Sequence, residues 1–468
     1  MSGAAAISPA ALAGDGEALG ELIETALSAL CEGARLRGGP VPPGDPRRPA
    51  RGVSAAVDGT LLPASGVGAH AALAALSTAF AAGASDPGDP ACAGHLHCPP
   101  LAVAVAADLV AAVLNSSLDS WDQGPAAVAV EDEVLAALAG LAGLDPLRAA
   151  GTMTSGASAS NLTALHLARE HCGGRVRIFC SALAHFSVAR AAGVLGLGED
   201  AVTAVPVDAE HRMSIPALDA ALRAHDGASV VVATAGTTDF GSIDPLRAIA
   251  TVARRHRAWL HVDAAYGGGA LFSSRLAGLL DGVNKADSIA LDLHKLGWQP
   301  VAAGVLLVRD QPLLAPLERR VAYLNAVDDE AEGYESLLGR SLRTTRRADA
   351  LKVAVTMRTL GRDGLGALVD ACHDLARHAA AMIAAHPRLE LDAEPVLTSV
   401  VFGYRAADEV NARIRRRLLR DGRAVIGRTD VGGRVRLKLT LLHPHARTAD
   451  IEALLDAVVL AGDLEVRA

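Results

Sequence analysis

The sequence has few aromatic residues, few cysteines and no excess of positive charge. Aromatic residues make up 3% of the 468 residues, and the six cysteines are scattered without paired spacing. Such cysteines indicate reduced thiols rather than a disulfide scaffold, so we predict a cytoplasmic protein. The net charge of −8 argues against a nucleic-acid partner, because binding to phosphate backbones needs a basic face.

The sequence also lacks the features of a secretion signal or a membrane span. Residues 1–13 have neither the basic start nor the continuous apolar core of a signal peptide. The charge-free stretch at residues 91–107 contains two histidines and two prolines and is slightly short for a bilayer-spanning helix. We therefore expect no membrane partner.

Apolar residues, in contrast, are plentiful at 51%, which is ample for a chain of this length to build more than one large segment. Residues 1–90 are predicted to be a helical segment that is too small for its own core and packs on a partner subunit. Residues 91–350 are predicted to form a large domain. Residues 351–468, with short strands between helices, are predicted to form a small C-terminal α+β domain.

Short apolar runs alternate with helical patterns between residues 151 and 310. This alternation predicts a mostly parallel sheet covered by helices. In such sheets ligands bind at the carboxyl ends of the strands. The predicted strands are Val176–Cys180, Val230–Ala233, Trp259–Val262, Ser288–Leu291 and Val305–Val308.

Two of these strands end in groups with complementary chemistry. Asp263 closes one strand, and Lys295 follows another 32 residues later. A lysine amine can form a Schiff base with the aldehyde of pyridoxal 5'-phosphate (PLP), and an aspartate can hold the protonated ring nitrogen. Taken alone, each residue has a simpler interpretation, since most lysines are solvated and many aspartates only cap a chain end.

Three further segments fall at strand ends in the same region. The small-residue loop at 152–162 runs into a helix and could bind one phosphate on its backbone N–H groups, although an ordinary serine-capped helix start has the same pattern. His185 precedes a helix, where an imidazole could stack on a planar cofactor or simply cap the helix. The Gly- and Thr-rich stretch at 234–245 can approach a ligand closely.

A metal site is a weaker interpretation of the chain. His95, His97 and Cys98 lie close together, but a structural zinc site needs four ligands and no second cluster follows at the required spacing. We predict no metal, and we interpret this segment either as a turn before a helix or as a pocket wall.

In chain order the segments supply a phosphate loop, a histidine, a threonine, an aspartate and a lysine, and one PLP site explains them better than independent coincidences. Their motifs resemble the group II PLP-dependent amino-acid decarboxylases over roughly residues 85–445. The segments that carry the resemblance are Thr154-Ser155-Gly156, Ala184-His185-Phe186-Ser187-Val188, Thr234-Ala235-Gly236-Thr237-Thr238, His261-Val262-Asp263-Ala264-Ala265-Tyr266 and Asp292-Leu293-His294-Lys295.

Two other segments are similar to the bacterial diamino-acid decarboxylases of this family. These enzymes act on L-2,4-diaminobutyrate or, in siderophore pathways, on lysine. The segments are Gly94–Pro99 with Asn115–Gln123, and Arg340–Lys352.

The resemblance implies the type I PLP-dependent (aspartate aminotransferase-like) α/β fold and an obligate homodimer with its sites at the interface. It implies that Lys295 is the Schiff-base lysine, that Asp263 pairs with the ring nitrogen and that His185 stacks on the ring. Tyr323 matches a mobile-loop tyrosine that protonates the α-carbon after CO2 leaves. The remaining implied contacts are Ala265 with the opposite ring face, Thr237 with the phenolic oxygen, Gly156, Ala157, Ser158 and His294 with the phosphate, and His97 and Cys98 with the substrate pocket.

The sequence departs from the family pattern near the phosphate loop. Ala157 stands where a second glycine is usual, and Ala159 stands where a glutamine or glutamate is usual. The second change alters the hydrogen bonding that the pocket can offer. Asp292 is a carboxylate near the expected phosphate, so we expect it to face away or to pair with a cation.

We therefore predict decarboxylation of an L-amino acid, with diamino acids favoured and 2,4-diaminobutyrate preferred over lysine or ornithine. Three alternatives stay open: an aromatic amino-acid decarboxylase, a PLP enzyme redirected to oxidative deamination or aldol chemistry, and a catalytically silent scaffold of the same fold.

Overall fold

The computed structural model describes residues 8–467, so residues 1–7 of the predicted N-terminal segment lie outside the described part. The chain forms two compact units. The larger unit contains Leu96–Arg377 and Ala393–Val400, and the other contains residues 8–95, 378–392 and 401–467. None of the helices in residues 8–467 is long and apolar enough to cross a membrane.

The elements are numbered in chain order. The strands are β1 (Cys92–Ala93), β2 (Ala150–Thr154), β3 (Arg177–Ser181), β4 (Val202–Val205), β5 (Ser229–Thr234), β6 (Trp259–Ala264), β7 (Ser288–Asp292), β8 (Gly304–Val308), β9 (Leu389–Leu391), β10 (Ser399–Tyr404), β11 (Val425–Val431) and β12 (Arg434–Thr440). The α-helices are α1 (Gly16–Arg37), α2 (Arg48–Ala56), α3 (Ala69–Gly83), α4 (Ala102–Leu114), α5 (Pro125–Leu141), α6 (Ala157–His171), α7 (Ser187–Val194), α8 (Ile215–Arg223), α9 (Leu246–Arg255), α10 (Val327–Ala331), α11 (Ala350–Ala385), α12 (Asp408–Arg420) and α13 (Thr448–Arg467).

The larger unit is built on a seven-stranded sheet in the order β2-β8-β7-β6-β5-β3-β4. Strands β3 to β7 pair in parallel, whereas β8 is antiparallel to both of its neighbours. Strands β5, β6 and β7 are buried along their whole length, as expected for parallel strands that have both faces covered. The prediction of a mostly parallel α/β sheet is thus confirmed.

The parallel pairing brings the strand ends that carry chemistry to one edge of the sheet. In the register of β5, β6 and β7, Thr234 lies beside Asp263, and Asp263 lies beside Ala290. Asp292 ends β7 and Lys295 follows it within three residues. The sheet therefore places the aspartate and the lysine close together although 31 residues separate them in the chain.

The other unit contains a five-stranded sheet in the order β1-β11-β12-β10-β9. Strands β11 and β12 form an antiparallel pair, and β1 joins β11 in parallel. Helices α12 and α13 pack against each other, and α1 packs against α3. The short strands predicted between helices in residues 351–468 are present as β9, β10 and β12, and β11 is an additional strand.

Candidate active site

The loop that was predicted to bind phosphate joins β2 to α6. Gly156 lies between these elements with φ of +149°, a conformation that favours glycine. The hydroxyl oxygens of Thr154 and Ser160 are 2.8 Å apart, and Ser160 Oγ donates to Val305 O at 3.1 Å. These bonds fix the loop against β8 and leave the first turn of α6 at the edge of a pocket.

Asp263 is buried near the end of β6. Its Oδ1 accepts a hydrogen bond from the backbone N–H of Ala265 at 3.1 Å. Its Oδ2 accepts one from Asn161 Nδ2 at 2.8 Å. Because both oxygens accept from N–H donors, the carboxylate is held in one orientation at the pocket wall.

Lys295 and the start of α6 are joined by one buried carboxylate. Lys295 Nζ lies 3.1 Å from Asp292 Oδ2, and Asp292 Oδ1 accepts from the backbone N–H of Ala157 at 2.8 Å. Of the two expectations for Asp292, the structure shows the pairing with a cation. The same carboxylate lies 3.6 Å from His294 Nε2, and burial lowers the pKa of His294.

His185 precedes α7 and is half-buried. Its Nδ1 lies 2.9 Å from Ser187 Oγ and accepts a hydrogen bond from the backbone N–H of Ser187 at 3.3 Å. Burial lowers the pKa of His185, although Asp263 partly opposes this shift. The imidazole is therefore neutral near pH 7, with its position fixed by Ser187.

These groups line one pocket of about 320 Å³, a volume within the range of sites for small ligands and cofactors. The lining includes eight of the predicted site residues, namely Lys295, Asp263, His185, Ala265, Gly156, Ala157, Ser158 and His294.

Four predicted residues are not part of this pocket lining, namely Thr237, Tyr323, His97 and Cys98. Thr237 is buried and its hydroxyl is 2.7 Å from Ser242 Oγ, whereas its neighbours Thr234 and Thr238 line the pocket. The expected contact of Thr237 with the cofactor is therefore not supported by its position. Tyr323 has an 82% exposed side chain and lies in a separate depression beside Trp121.

The segment predicted to line a substrate pocket contributes a different residue. Leu96 lines the pocket, whereas His97 is exposed. Cys98 is buried, and its thiol donates to the backbone oxygen of His294 at 3.2 Å. Burial raises the pKa of Cys98 to about 12, so this thiol is protonated and supports the chain that carries His294.

Several pocket residues were not singled out from the sequence. They are Leu96, Ser155, Thr234, Gly236, Thr238 and Tyr266, and Asn161 contacts the site through Asp263. One signal was available for the neighbourhood of Asp263: side chains alternate along a strand, so the polar His261 shares a face with Asp263. The polar character of that buried face indicates a hydrogen-bonded network.

The chemistry of the pocket fits PLP. The Lys295 amine suits an aldehyde, the fixed Asp263 carboxylate suits a protonated ring nitrogen, and the first turn of α6 suits a phosphate. The buried Thr234 Oγ1 has no hydrogen-bond partner within the described residues, which leaves a polar atom in the lining available to a ligand. Among residues 8–467, no group of three or more His, Cys, Asp or Glu side chains is arranged to hold a metal ion.

Comparison with known proteins gives the same assignment. The family model described as "Pyridoxal-dependent decarboxylase conserved domain" matches residues 78–405. The chain is 46% identical over 413 residues to the L-2,4-diaminobutyrate decarboxylase of Rhizobium meliloti, covering 85% of this chain and 83% of the relative. It is 35% identical to the enzyme of the same name from Acinetobacter baumannii, with 78% of each chain covered.

A solved structure agrees over nearly the whole chain. It is the glutamate decarboxylase domain of diaminobutyrate-pyruvate transaminase and L-2,4-diaminobutyrate decarboxylase from Vibrio parahaemolyticus, with 33% identity, a TM-score of 0.84 and 96% of each chain covered. With the family model matching more than half of the chain, and with lysine, aspartate and histidine in one pocket, the chain belongs to the pyridoxal-dependent decarboxylases.

Proposed function

We propose that this decarboxylase converts L-2,4-diaminobutyrate to propane-1,3-diamine and CO2. The observation that carries the proposal is the 46% identity, over most of both chains, to a relative named for that substrate. A second relative with the same name is 35% identical. Lysine and ornithine are the nearest competing substrates, since each also carries a distal ammonium group.

We assign the central roles to residues that share the pocket. Bound PLP supplies an electron sink for the electron pair that stays on the α-carbon as CO2 leaves. Lys295 would hold the cofactor covalently through Nζ, and Asp263 would keep its ring nitrogen protonated. Asp292, which pairs with Lys295, would hold the amine at the mouth of the phosphate loop until the cofactor arrives.

His185 and the start of α6 would orient the cofactor. The neutral imidazole of His185, fixed by Ser187, would lie on one face of the ring, and Ala265 would lie on the other. The backbone N–H of Ser158, with His294, would hold the phosphate, and the N–H of Ala157 would join them once the phosphate takes the place of Asp292 Oδ1. With the ring held in this way, contacts to the substrate would decide which α-carbon bond stands perpendicular to the ring, and that bond would be the one that breaks.

We assign to Tyr323 the delivery of the proton that completes the reaction. Its hydroxyl would deliver a proton to the α-carbon after CO2 leaves, which gives the amine rather than a carbonyl product. In its own chain this side chain is exposed and lies outside the Lys295 pocket. The role therefore requires either a loop movement or a pocket on a second copy of the chain.

A homodimer provides that second copy. Within the N-terminal segment assigned to residues 1–90, the described side chains of Leu61, Leu62 and Phe80 are 74%, 90% and 73% exposed. Apolar groups exposed to this extent support packing of this segment on a partner subunit. We keep the division into residues 1–90, 91–350 and 351–468 as part of this proposal, together with a cytoplasmic location.

The substrate assignment is tested by measuring CO2 release from a panel of amino acids. The panel consists of 2,4-diaminobutyrate, ornithine, lysine, glutamate, DOPA and tryptophan. We expect the highest kcat/KM for 2,4-diaminobutyrate. A preference of tenfold or more for DOPA or tryptophan would replace the proposal with an aromatic decarboxylase, and a preference for glutamate would replace it with an acidic one.

A further inference from the structure

A chain of buried polar side chains runs behind the pocket, from the beginning of β6 to the two cofactor-facing residues. Trp259 Nε1 donates to Ser288 Oγ at 3.1 Å, and Ser288 Oγ is 2.9 Å from His261 Nδ1. His261 Nε2 is 2.9 Å from Asn161 Oδ1. His261, Ser288 and Asn161 are each no more than 1% exposed, so water does not supply these bonds.

Asn161 is the branch point of this chain. Its Nδ2 lies 2.8 Å from Asp263 Oδ2 and 3.0 Å from Ser187 Oγ. Both amide hydrogens are therefore used, one on the residue assigned to the ring nitrogen and one on the residue that fixes His185. A single side chain thus contacts the supports of both groups that would lie against the cofactor ring.

The direction of every bond follows from the carboxylate. A carboxylate only accepts, so the amide of Asn161 must turn its NH2 toward Asp263 and its oxygen toward His261. His261 Nε2 must then carry the proton, and its Nδ1 accepts from the hydroxyl of Ser288. The Ser288 oxygen in turn accepts from the indole of Trp259, so no member of the chain is left unpaired.

Charge is confined to Asp263 in this arrangement. His261 is fully buried, and burial lowers its pKa, so the imidazole stays neutral beside the network. A protonated imidazole there would offset the negative charge of Asp263 through Asn161. With His261 neutral, the carboxylate keeps its charge for a cationic partner on the pocket side.

The same branch point orients His185. Ser187 Oγ accepts from Asn161, so its own hydroxyl hydrogen can donate to His185 Nδ1. The backbone N–H of Ser187 also donates to Nδ1, which requires a lone pair on that atom. His185 therefore carries its proton on Nε2, and its ring is turned by the bonds that begin at Asn161.

We propose that Asn161, held by His261 and Ser288, is a positioning residue that sets both the carboxylate of Asp263 and the imidazole of His185 for PLP. The proposal rests on the proposed roles of Asp263 and Lys295. It predicts that Asn161 acts on the cofactor at its ring nitrogen, although Asn161 itself is not among the residues that line the pocket.

The test compares the affinity of the apoenzyme for PLP with its affinity for 1-deaza-PLP, which has a C–H in place of the ring nitrogen. In Asn161→Leu, which has similar size but no donors, we expect PLP affinity to fall at least tenfold. Affinity for the deaza analogue should fall less than threefold, because that ligand makes no ion pair with Asp263 and loses only what comes through His185. The ring-nitrogen 15N resonance of labelled PLP should also lose its protonated position at a lower pH in the variant than in the wild type.

Thr163→Val is the matched control. Thr163 is on the same helix and buried, but its hydroxyl donates only to Ala159 O in the preceding turn, so PLP and deaza-PLP should lose equal affinity or none. If Asn161→Leu does not fold, Asn161→Ala replaces it with the same expected ratio. Equal losses for both ligands, or an unchanged 15N titration, would show that Asn161 is only structural. Failure of the wild type to bind PLP would instead overturn the proposed function.

Discussion

At the scale of single residues, the site depends on carboxylates whose partners differ. Within residues 8–467, Asp263 accepts from the neutral N–H donors of Asn161 and Ala265, so its charge is available to a cationic ligand. Asp292 is already paired with Lys295 and with the first N–H of α6. Two buried carboxylates in one pocket can therefore serve separate purposes, one toward the ring nitrogen and the other toward the amine.

The first prediction concerns Asp263. Asp263→Asn keeps the shape but removes the charge opposite the ring nitrogen, so we expect kcat to fall at least about 100-fold, roughly 2.7 kcal/mol of lost transition-state stabilisation. The measurement is steady-state decarboxylation of 2,4-diaminobutyrate by the PLP-saturated enzyme.

Asp287→Asn is the control for this prediction. Asp287 precedes β7 at the opposite end of the sheet, where it accepts from the backbone N–H of Leu260, and its loss should leave kcat within about threefold. Equal kcat values in the two variants would contradict the role of Asp263.

At the scale of elements, the loop after β5 shows how closely the backbone must approach the pocket. Gly236 lines the pocket with φ of +103°, and a Cβ on it would lie 2.7 Å from the backbone nitrogen of Gly267. Both the conformation and the contact exclude a side chain. The loop can therefore follow the strand edge only if a glycine stands at this position.

Gly236→Ala should lower the free energy of unfolding by about 2–4 kcal/mol, because it adds left-handed backbone strain to a steric clash, and should weaken PLP binding. Urea unfolding and PLP titration measure the two effects. Gly278→Ala is the control, since nothing lies within 4 Å of its Cβ, and its change should stay within about 0.5 kcal/mol. Similar losses in both variants would show that the loop after β5 is not constrained.

The elements that could be predicted from sequence are those whose apolar runs are buried on both faces, such as β5 and β6. Strand β2 was missed because Ala-Gly-Thr-Met-Thr has no strong strand preference and is held by pairing with β8. Strand β11 was missed because charged residues interrupt it. In both cases pairing with a neighbouring strand outweighs local propensity. That neighbour is β8 for β2, which is distant in the chain, and β12 for β11, which follows directly.

The site residues also differ in whether the sequence alone predicts them. Lys295, Asp263 and His185 were predicted because parallel strands bring their carboxyl ends to one edge. The position of Asn161 depends on how α6 packs over β6, which no local pattern specifies. Thr237 was named on the resemblance alone, since the sequence does not show which way each hydroxyl in a turn will point, and Thr234 and Thr238 are the threonines that line the pocket.

At the scale of the whole molecule, the exposed Tyr323 and the proposed homodimer lead to one prediction. Lys295→Ala and Tyr323→Phe should each lack normal amine production as pure homodimers. If Tyr323 acts on the pocket of the partner subunit, mixed dimers of the two variants contain one pocket with both native residues, so mixing after dissociation should restore up to half of the wild-type activity per dimer.

Two results would count against this arrangement. Mixed dimers with no restored activity would place Tyr323 in its own subunit's pocket. If analytical ultracentrifugation of the active enzyme gave a mass equal to one chain, the proposed homodimer would be ruled out. A mixture of each variant with itself, treated in the same way, controls for recovery after dissociation.

The central claim is that PLP is held by Lys295 in a decarboxylase site, and borohydride reduction of the purified holoenzyme tests it most directly. Reduction should fix the cofactor irreversibly, and peptide mass spectrometry should find the phosphopyridoxyl group on Lys295, with none trapped in Lys295→Ala. A wild-type enzyme that traps no cofactor, or that carries it on another lysine, would contradict the account.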